Sequence, residues 1–170
     1  GTGRKAMGTM SKTTPTEPVM FEPEFVAGLK HLFEEKIVFN QVLGLKITDL
    51  TPDRVTGRID MRPELVGHYS HNRIHGGVIS ACLDALGGLA CMAAIGARHM
   101  DEAPLQRVHR FSKLGTIDLR IDYLRPGISD HFELRAEVMR LGSRVASTRM
   151  EFLGADGKLL STGAGAYIVS

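Results

Sequence analysis

Hydrophobic positions change period repeatedly along the chain, and each change marks an element. Over residues 21–39 the apolar positions Phe25, Leu29, Leu32, Phe33 and Ile37 recur at three and four, which predicts an amphipathic helix. Over 44–61 the period drops to two. Ile47, and then Val55, Gly57, Ile59 and Met61, alternate with polar residues, and Thr51-Pro52-Asp53 lies between, so two short strands joined by a turn are expected. Pro63 and Gly67 open a loop that runs to His75. From Gly77 to about Ala97 the chain has no Pro and frequent Ala, and Gly96 sits where a helix would stop. This predicts a long helix, apolar nearly all round and therefore enclosed by other structure. Gly76, Gly77, Gly87 and Gly88 cost helix propensity but permit close backbone approach.

Residues 97–115 are polar and are expected to form a lid or partly ordered connector. The period then returns to two: Ile117, Leu119, Ile121 and Tyr123 alternate with Asp118, Arg120 and Asp122, and Phe132, Leu134, Ala136 and Val138 with Glu133, Arg135 and Glu137. Strands over 143–153 and 158–169 follow, linked by Gly154-Ala155-Asp156-Gly157, whose Asp-Gly signals a hairpin. The last third reads as an antiparallel meander. Helix, strands, a long buried helix and more antiparallel strands make an α+β pattern, a sheet of five or six strands curling around the central helix.

Composition narrows this picture. A chain of 170 residues, 43% hydrophobic and 24% charged, suits one domain. Residues 1–20 are small and polar and are expected to be a disordered leader or tag remnant, with Met7 or Met10 near the natural start; 21–170 is the single domain. A net charge of +2 gives no sequence-wide electrostatic case for nucleic acid. The apolar stretch 78–95 is interrupted by Ser80 and Asp84, so no membrane span is expected. Cys82 and Cys91, nine positions apart on one helix, are too distant for a disulfide, which fits a reducing cytoplasm.

The chemistry concentrates in His71–Ala90, HNRIHGGVISACLDALGGLA, where Asp84 is the lone carboxylate of an apolar run. Burying an unpaired charge is costly, so Asp84 must either find donors or face a cavity. His68, His71 and His75 raise a metal site, but with no carboxylate or Cys nearby no metal is expected. In a straight helix nine residues leave His75 and Asp84 on opposite sides and about 13 Å apart along the axis. One helix cannot join them, whereas two copies side by side can. Free N–H groups at a helix start are ready oxyanion donors, which points to the Gly76 or Gly77 amide.

His75-Gly76-Gly77 entering a long helix, with an acid nine positions after the His, resembles the hotdog-fold acyl-CoA thioesterases of the PaaI-like group. The likeness continues through GTIDLRIDYLRPG (115–127), Gly142 and the final Tyr167-Ile168-Val169. It implies a hotdog fold, with a curved antiparallel sheet wrapped around the central helix and here an extra N-terminal helix. It also implies a homodimer, commonly paired into a tetramer, with active sites between subunits and no cofactor. Asp84 would be general base toward water or nucleophile on the thioester carbonyl, and His75 would position the turn or donate to the thioester. Coenzyme A would be held at strand ends by Arg125 and Pro126, and by Arg140, Gly142, Ser143 and Arg144, with Arg110 and Lys113 as weaker candidates. The group usually carries Asn or Gln six or seven positions before the motif His. This chain has Tyr69 and His68 there, leaving His68 or Asn72 to take the polar role. Phe33 and Phe39 are candidates for an acyl channel, although core packing is the commoner reason for that spacing. The rival readings are a hotdog dehydratase, which the His-to-Asp spacing opposes, and a non-catalytic protein that binds or senses acyl-CoA.

Overall fold

The computed structural model describes residues 19–170, so the expected leader lies, up to residue 18, outside the described residues. The first helix is not continuous. Helix α1 (Pro23–His31) passes into a π turn (Leu32–Lys36), Ile37 is extended, and α2 (Val38–Leu43) follows. The expected periodicity holds inside it, since Phe25, Leu29 and Phe33 are fully buried. The break is stable because its backbone groups still find partners, one within the π turn and one from a side chain of α2. Ile37 N–H donates to Leu32 O at 2.9 Å, and the buried Asn40 Nδ2 donates to Phe33 O at 3.0 Å. Gly44 ends α2 at φ 75°, a left-handed cap that glycine adopts without strain.

Strands β1 (Lys46–Leu50) and β2 (Val55–Asp60) form the expected hairpin. The loop before the central helix contains a 3₁₀ turn (Pro63–Leu65) and a ribbon of β3 (Val66–His68) and β4 (Arg73–Ile74). Asn72 turns this ribbon at φ 48°, a region that Asn tolerates. Helix α3 (Gly76–Arg98) runs 23 residues and buries Leu83, Leu86, Leu89 and Met92 against the sheet. It is long and apolar enough to cross a membrane, but most of it is enclosed here, as a core helix is. The predicted tight approach is real: a side chain at Gly87 or Gly96 would overlap the rings of Tyr167 or Phe25.

The polar stretch after α3 is not a loose lid. It forms α4 (Pro104–His109) and a 3₁₀ turn (Arg110–Lys113), pinned by the fully buried Arg107. That guanidinium pairs with Glu22, donates to Glu102 O at 3.2 Å and lies 4.5 Å from the centre of the Phe25 ring. Strands β5 (Gly115–Tyr123), β6 (His131–Leu141), β7 (Val145–Gly154) and β8 (Leu159–Ile168) complete a six-stranded antiparallel sheet around α3. Its order, β1-β2-β6-β7-β8-β5, corrects the simple meander: β6 to β8 are sequential neighbours, but β5 pairs with β8 at the far edge. The link between β5 and β6 can cross because three strand spacings of about 4.8 Å lie within reach of a short extended segment. A bulge between Thr116 and Asp118 also breaks the expected alternation and turns Ile117 outward.

Candidate active site

Asp84 is half-buried on α3, and two donors meet it. Thr116 Oγ1 donates to Asp84 Oδ1 at 2.9 Å, and the Tyr167 hydroxyl donates to the same oxygen at 3.2 Å and to the Asp84 carbonyl at 2.9 Å. Neither stands out as a site residue in the sequence. Tyr167 lies on β8 with its ring in the core, and a buried phenol needs a partner for its hydroxyl, which is the one signal available. Burial, and then the charge of Asp84, push the Tyr167 phenol far above its usual range, so it stays a donor. Both bonds go to Oδ1, and Oδ2 has no donor among the described residues.

Asp84 lines a cavity of about 260 Å³. Its floor is one face of α3, where Ala81, Ala85 and Gly88 stand three and four apart with Asp84 and are small enough to leave room. Its roof is the broken N-terminal helix, which contributes Phe33, Ile37, Phe39 and Asn40, and Phe111 and Leu114 close one side. The expected acyl-channel candidates Phe33 and Phe39 therefore both reach the Asp84 cavity. The roof is anchored to the sheet by Glu34, which accepts from Ile47 N–H at 2.8 Å, and by Arg62, which caps α2 through Leu43 O at 2.9 Å.

The His75 end of α3 is a separate place. His75 Nδ1 accepts the Gly77 N–H at 2.7 Å as an N-cap, which leaves Nε2 as the ring nitrogen able to donate from this exposed residue. Of the two glycine amides expected to serve an oxyanion, that of Gly77 is thus already engaged, which leaves Gly76. Tyr123 donates to Gly76 O at 2.7 Å, and Ile74 N–H donates to Gly127 O at 2.9 Å. These bonds draw the β5–β6 link beside the helix start, where Arg73, Gly76, Tyr123, Arg125 and Pro126 line a groove of about 350 Å³. Arg73 Nε is buried there without a hydrogen-bond partner.

Arg140 lies near the end of β6, and Gly142, Ser143 and Arg144 form the tight β6–β7 turn, closed by Gly142 N–H to Val145 O at 2.9 Å. Through the register Leu141, Ala146, Tyr167, Thr116, they lie at the Asp84 end of the sheet, not at the Arg125 end. One chain therefore does not bring the two arginine groups together. His68, His71 and Asn72 stand exposed on the β3–β4 ribbon and do not line the Asp84 cavity. His68 Nδ1 and Ser70 Oγ share a hydrogen bond of 2.9 Å. Among the described residues no group of three His, Cys, Asp or Glu side chains is placed to hold a metal ion. Arg110 is engaged with Glu102, Nε to Oε1 at 2.9 Å, in the 3₁₀ region that also carries Lys113.

Comparison with known proteins agrees with this geometry. Residues 71–161, from the ribbon before α3 to β8, match the family described as Thioesterase superfamily. A protein of Salmonella typhimurium named medium/long-chain acyl-CoA thioesterase YigI is 33% identical over 138 residues, 81% of this chain and 89% of that protein. A crystal structure from Shewanella oneidensis, related to the thioesterase superfamily, superposes with a TM-score of 0.80 at 36% identity, covering 88% of this chain and 100% of that one. A mutant form of the phenylacetic acid degradation protein PaaI of Thermus thermophilus gives a TM-score of 0.61 at 25% identity, covering 78% of this chain and 99% of that one. With its strand order, its enclosed helix and these relatives, the chain belongs to the Thioesterase superfamily and is a hotdog-fold thioester hydrolase.

Proposed function

We propose that the protein hydrolyses acyl-CoA thioesters to a carboxylic acid and free coenzyme A, with Asp84 as the working carboxylate. The observation that carries this is Asp84 itself, the one carboxylate of an apolar cavity, with Oδ1 held by Thr116 and Tyr167 and Oδ2 left open. With the carboxylate fixed this way, the open Oδ2 takes a proton from water as the water attacks the thioester carbonyl. The medium/long-chain acyl-CoA named for the Salmonella relative supports the substrate class, and the apolar lining suits an acyl chain.

The active site is completed by a second copy in a homodimer. Helix geometry keeps the His75 end of α3 and Asp84 apart within one chain. Two features favour pairing. Strand β5 ends the sheet with an unpaired edge and exposes Ile117 and Tyr123 at 55% and 54%, with Leu124 just beyond it at 52%. The first turns of α3, ahead of that cavity floor, carry the exposed Gly77 and the part-exposed Ser80, small enough for another helix to approach. Copies related by a two-fold axis set the Gly76 amide and His75 Nε2 of one beside Asp84 of the other, as donors to the thioester oxygen. Arg73 and Arg125 beside that helix tip, and Arg140 and Arg144 at the Asp84 end, then hold the phosphates from both subunits.

The test is release of CoA thiol from a panel of acyl-CoAs. Cys82 and Cys91 are buried and burial pushes both thiols up to about 12, so a thiol reagent reads the product and not the folded protein. Asp84→Asn should lower kcat by about 10²–10⁴-fold, the range for losing a general base. Full activity in that variant rejects Asp84. Binding of acyl-CoA without turnover in the unmodified protein would favour the sensing alternative.

A further inference from the structure

Helix α2 is apolar on the side that faces away from the core. Val38, Phe39 and Val42 are 65%, 59% and 60% exposed, while Asn40 and Leu43 on the opposite side are buried. The spacing of three and four puts Val38, Phe39 and Val42 on one face, so they form a continuous strip on the outer surface of the molecule. Phe39 belongs to this strip and also lines the Asp84 cavity. The cavity's apolar end and the external strip are therefore one surface, joined at Phe39.

Resting on the thioesterase reading above, we infer that this strip is an acyl-chain extension site: the chain leaves the Asp84 cavity past Ile37 and Phe39, and its distal methylenes lie on Phe39 and Val42. The acyl channel is then open-ended. Carbons near the carbonyl are selected by the small-residue floor of Ala81, Ala85 and Gly88, and length beyond the cavity is accepted because its exit is apolar and not walled off. The broken helix is what makes this possible. An unbroken α1 would carry its periodicity past Phe33, whereas the π turn and the extended Ile37 re-aim α2 so that Phe39 reaches the cavity. Anchoring by Arg62, Glu34 and Asn40 holds α2 in that position, so the exit is part of the fold.

The occupant is an acyl chain and not a second protein surface because the strip is continuous with the cavity that holds the working carboxylate. A second copy seated on α2 is the competing occupant, and the same experiment separates the two. Hydrolysis of palmitoyl-CoA and octanoyl-CoA is compared in the unmodified protein, in Val42→Ser and in Phe39→Ser/Val42→Ser, with molar mass measured by light scattering. Val42 is exposed, so the single variant remains informative should the double variant fold poorly. Removing the strip should lower the palmitoyl-to-octanoyl ratio of kcat/KM by about tenfold in the double variant, with the single variant between, and leave the molar mass unchanged. A ratio that stays within about twofold in both variants overturns the inference while leaving hydrolysis at Asp84 intact. A fall in molar mass with an unaltered ratio also overturns it and assigns the strip to packing between copies. No hydrolysis of any acyl-CoA by the unmodified protein overturns the parent reading together with this one.

Discussion

Thr116 and Tyr167 hold one oxygen of Asp84 from two different strands, and that asymmetry is what the proposed chemistry uses. A carboxylate bonded on one oxygen is oriented, and its other oxygen is left open to accept a proton. Tyr167→Phe keeps the buried ring and removes only the hydroxyl, so it should lower kcat by about tenfold, the worth of a hydrogen bond to a charged group, with little change in KM. An effect on KM alone would contradict a positioning role. His75, Gly76, Gly77 and Asp84 are legible in the sequence because their spacing is local to one helix. Thr116 and Tyr167 are not, because they reach Asp84 across 32 and 83 positions. That closeness comes from the sheet register, and one residue of slip would turn Tyr167 away.

At the scale of elements, the period changes locate most helices and strands, and the departures cluster at the N-terminal cover. The stretch after α3 reads as a connector because its anchor is an arginine, a residue seldom fully buried. Arg107 joins α4 to α1 through Glu22 and Phe25, and so supports the roof over the Asp84 cavity. Arg107→Met retains bulk but loses the ion pair and the ring contact, and should lower the thermal midpoint by about 5 °C. The pairing also has a pH signature. The hydrogen bond from Arg107 lowers the Glu22 carboxyl below its ordinary 4.5, and that from Arg110 lowers Glu102 likewise. Groups with lowered folded-state values contribute stability that is present above 4.5 and lost as pH falls below it. Thermal midpoints measured from neutral pH downward should therefore fall more steeply below 4.5 in the unmodified protein than in Arg107→Met. Parallel curves would contradict this assignment.

At the scale of the molecule, one chain encloses an apolar helix within a curved sheet but leaves its sheet edge open and its two candidate sites apart. The spacing of His75 and Asp84 already shows that one straight helix cannot join them, and the fold keeps Asp84 under the N-terminal cover and the Gly76 start of the helix at the Arg125 groove. The crossing of β5 to the far edge is not visible in the sequence, because a short link looks the same whether it joins neighbours or spans the sheet. That crossing gives β5 its unpaired edge, the seam along which the proposed homodimer would join. The most direct measurement is subunit complementation: Asp84→Ala and His75→Ala proteins, each assayed alone and then after mixing under conditions that exchange subunits. Sites shared between copies predict two weakly active proteins whose mixture regains about a quarter of the unmodified activity, because half the dimers are mixed and each mixed dimer holds one intact site. A mixture no more active than the better variant alone would contradict the shared site.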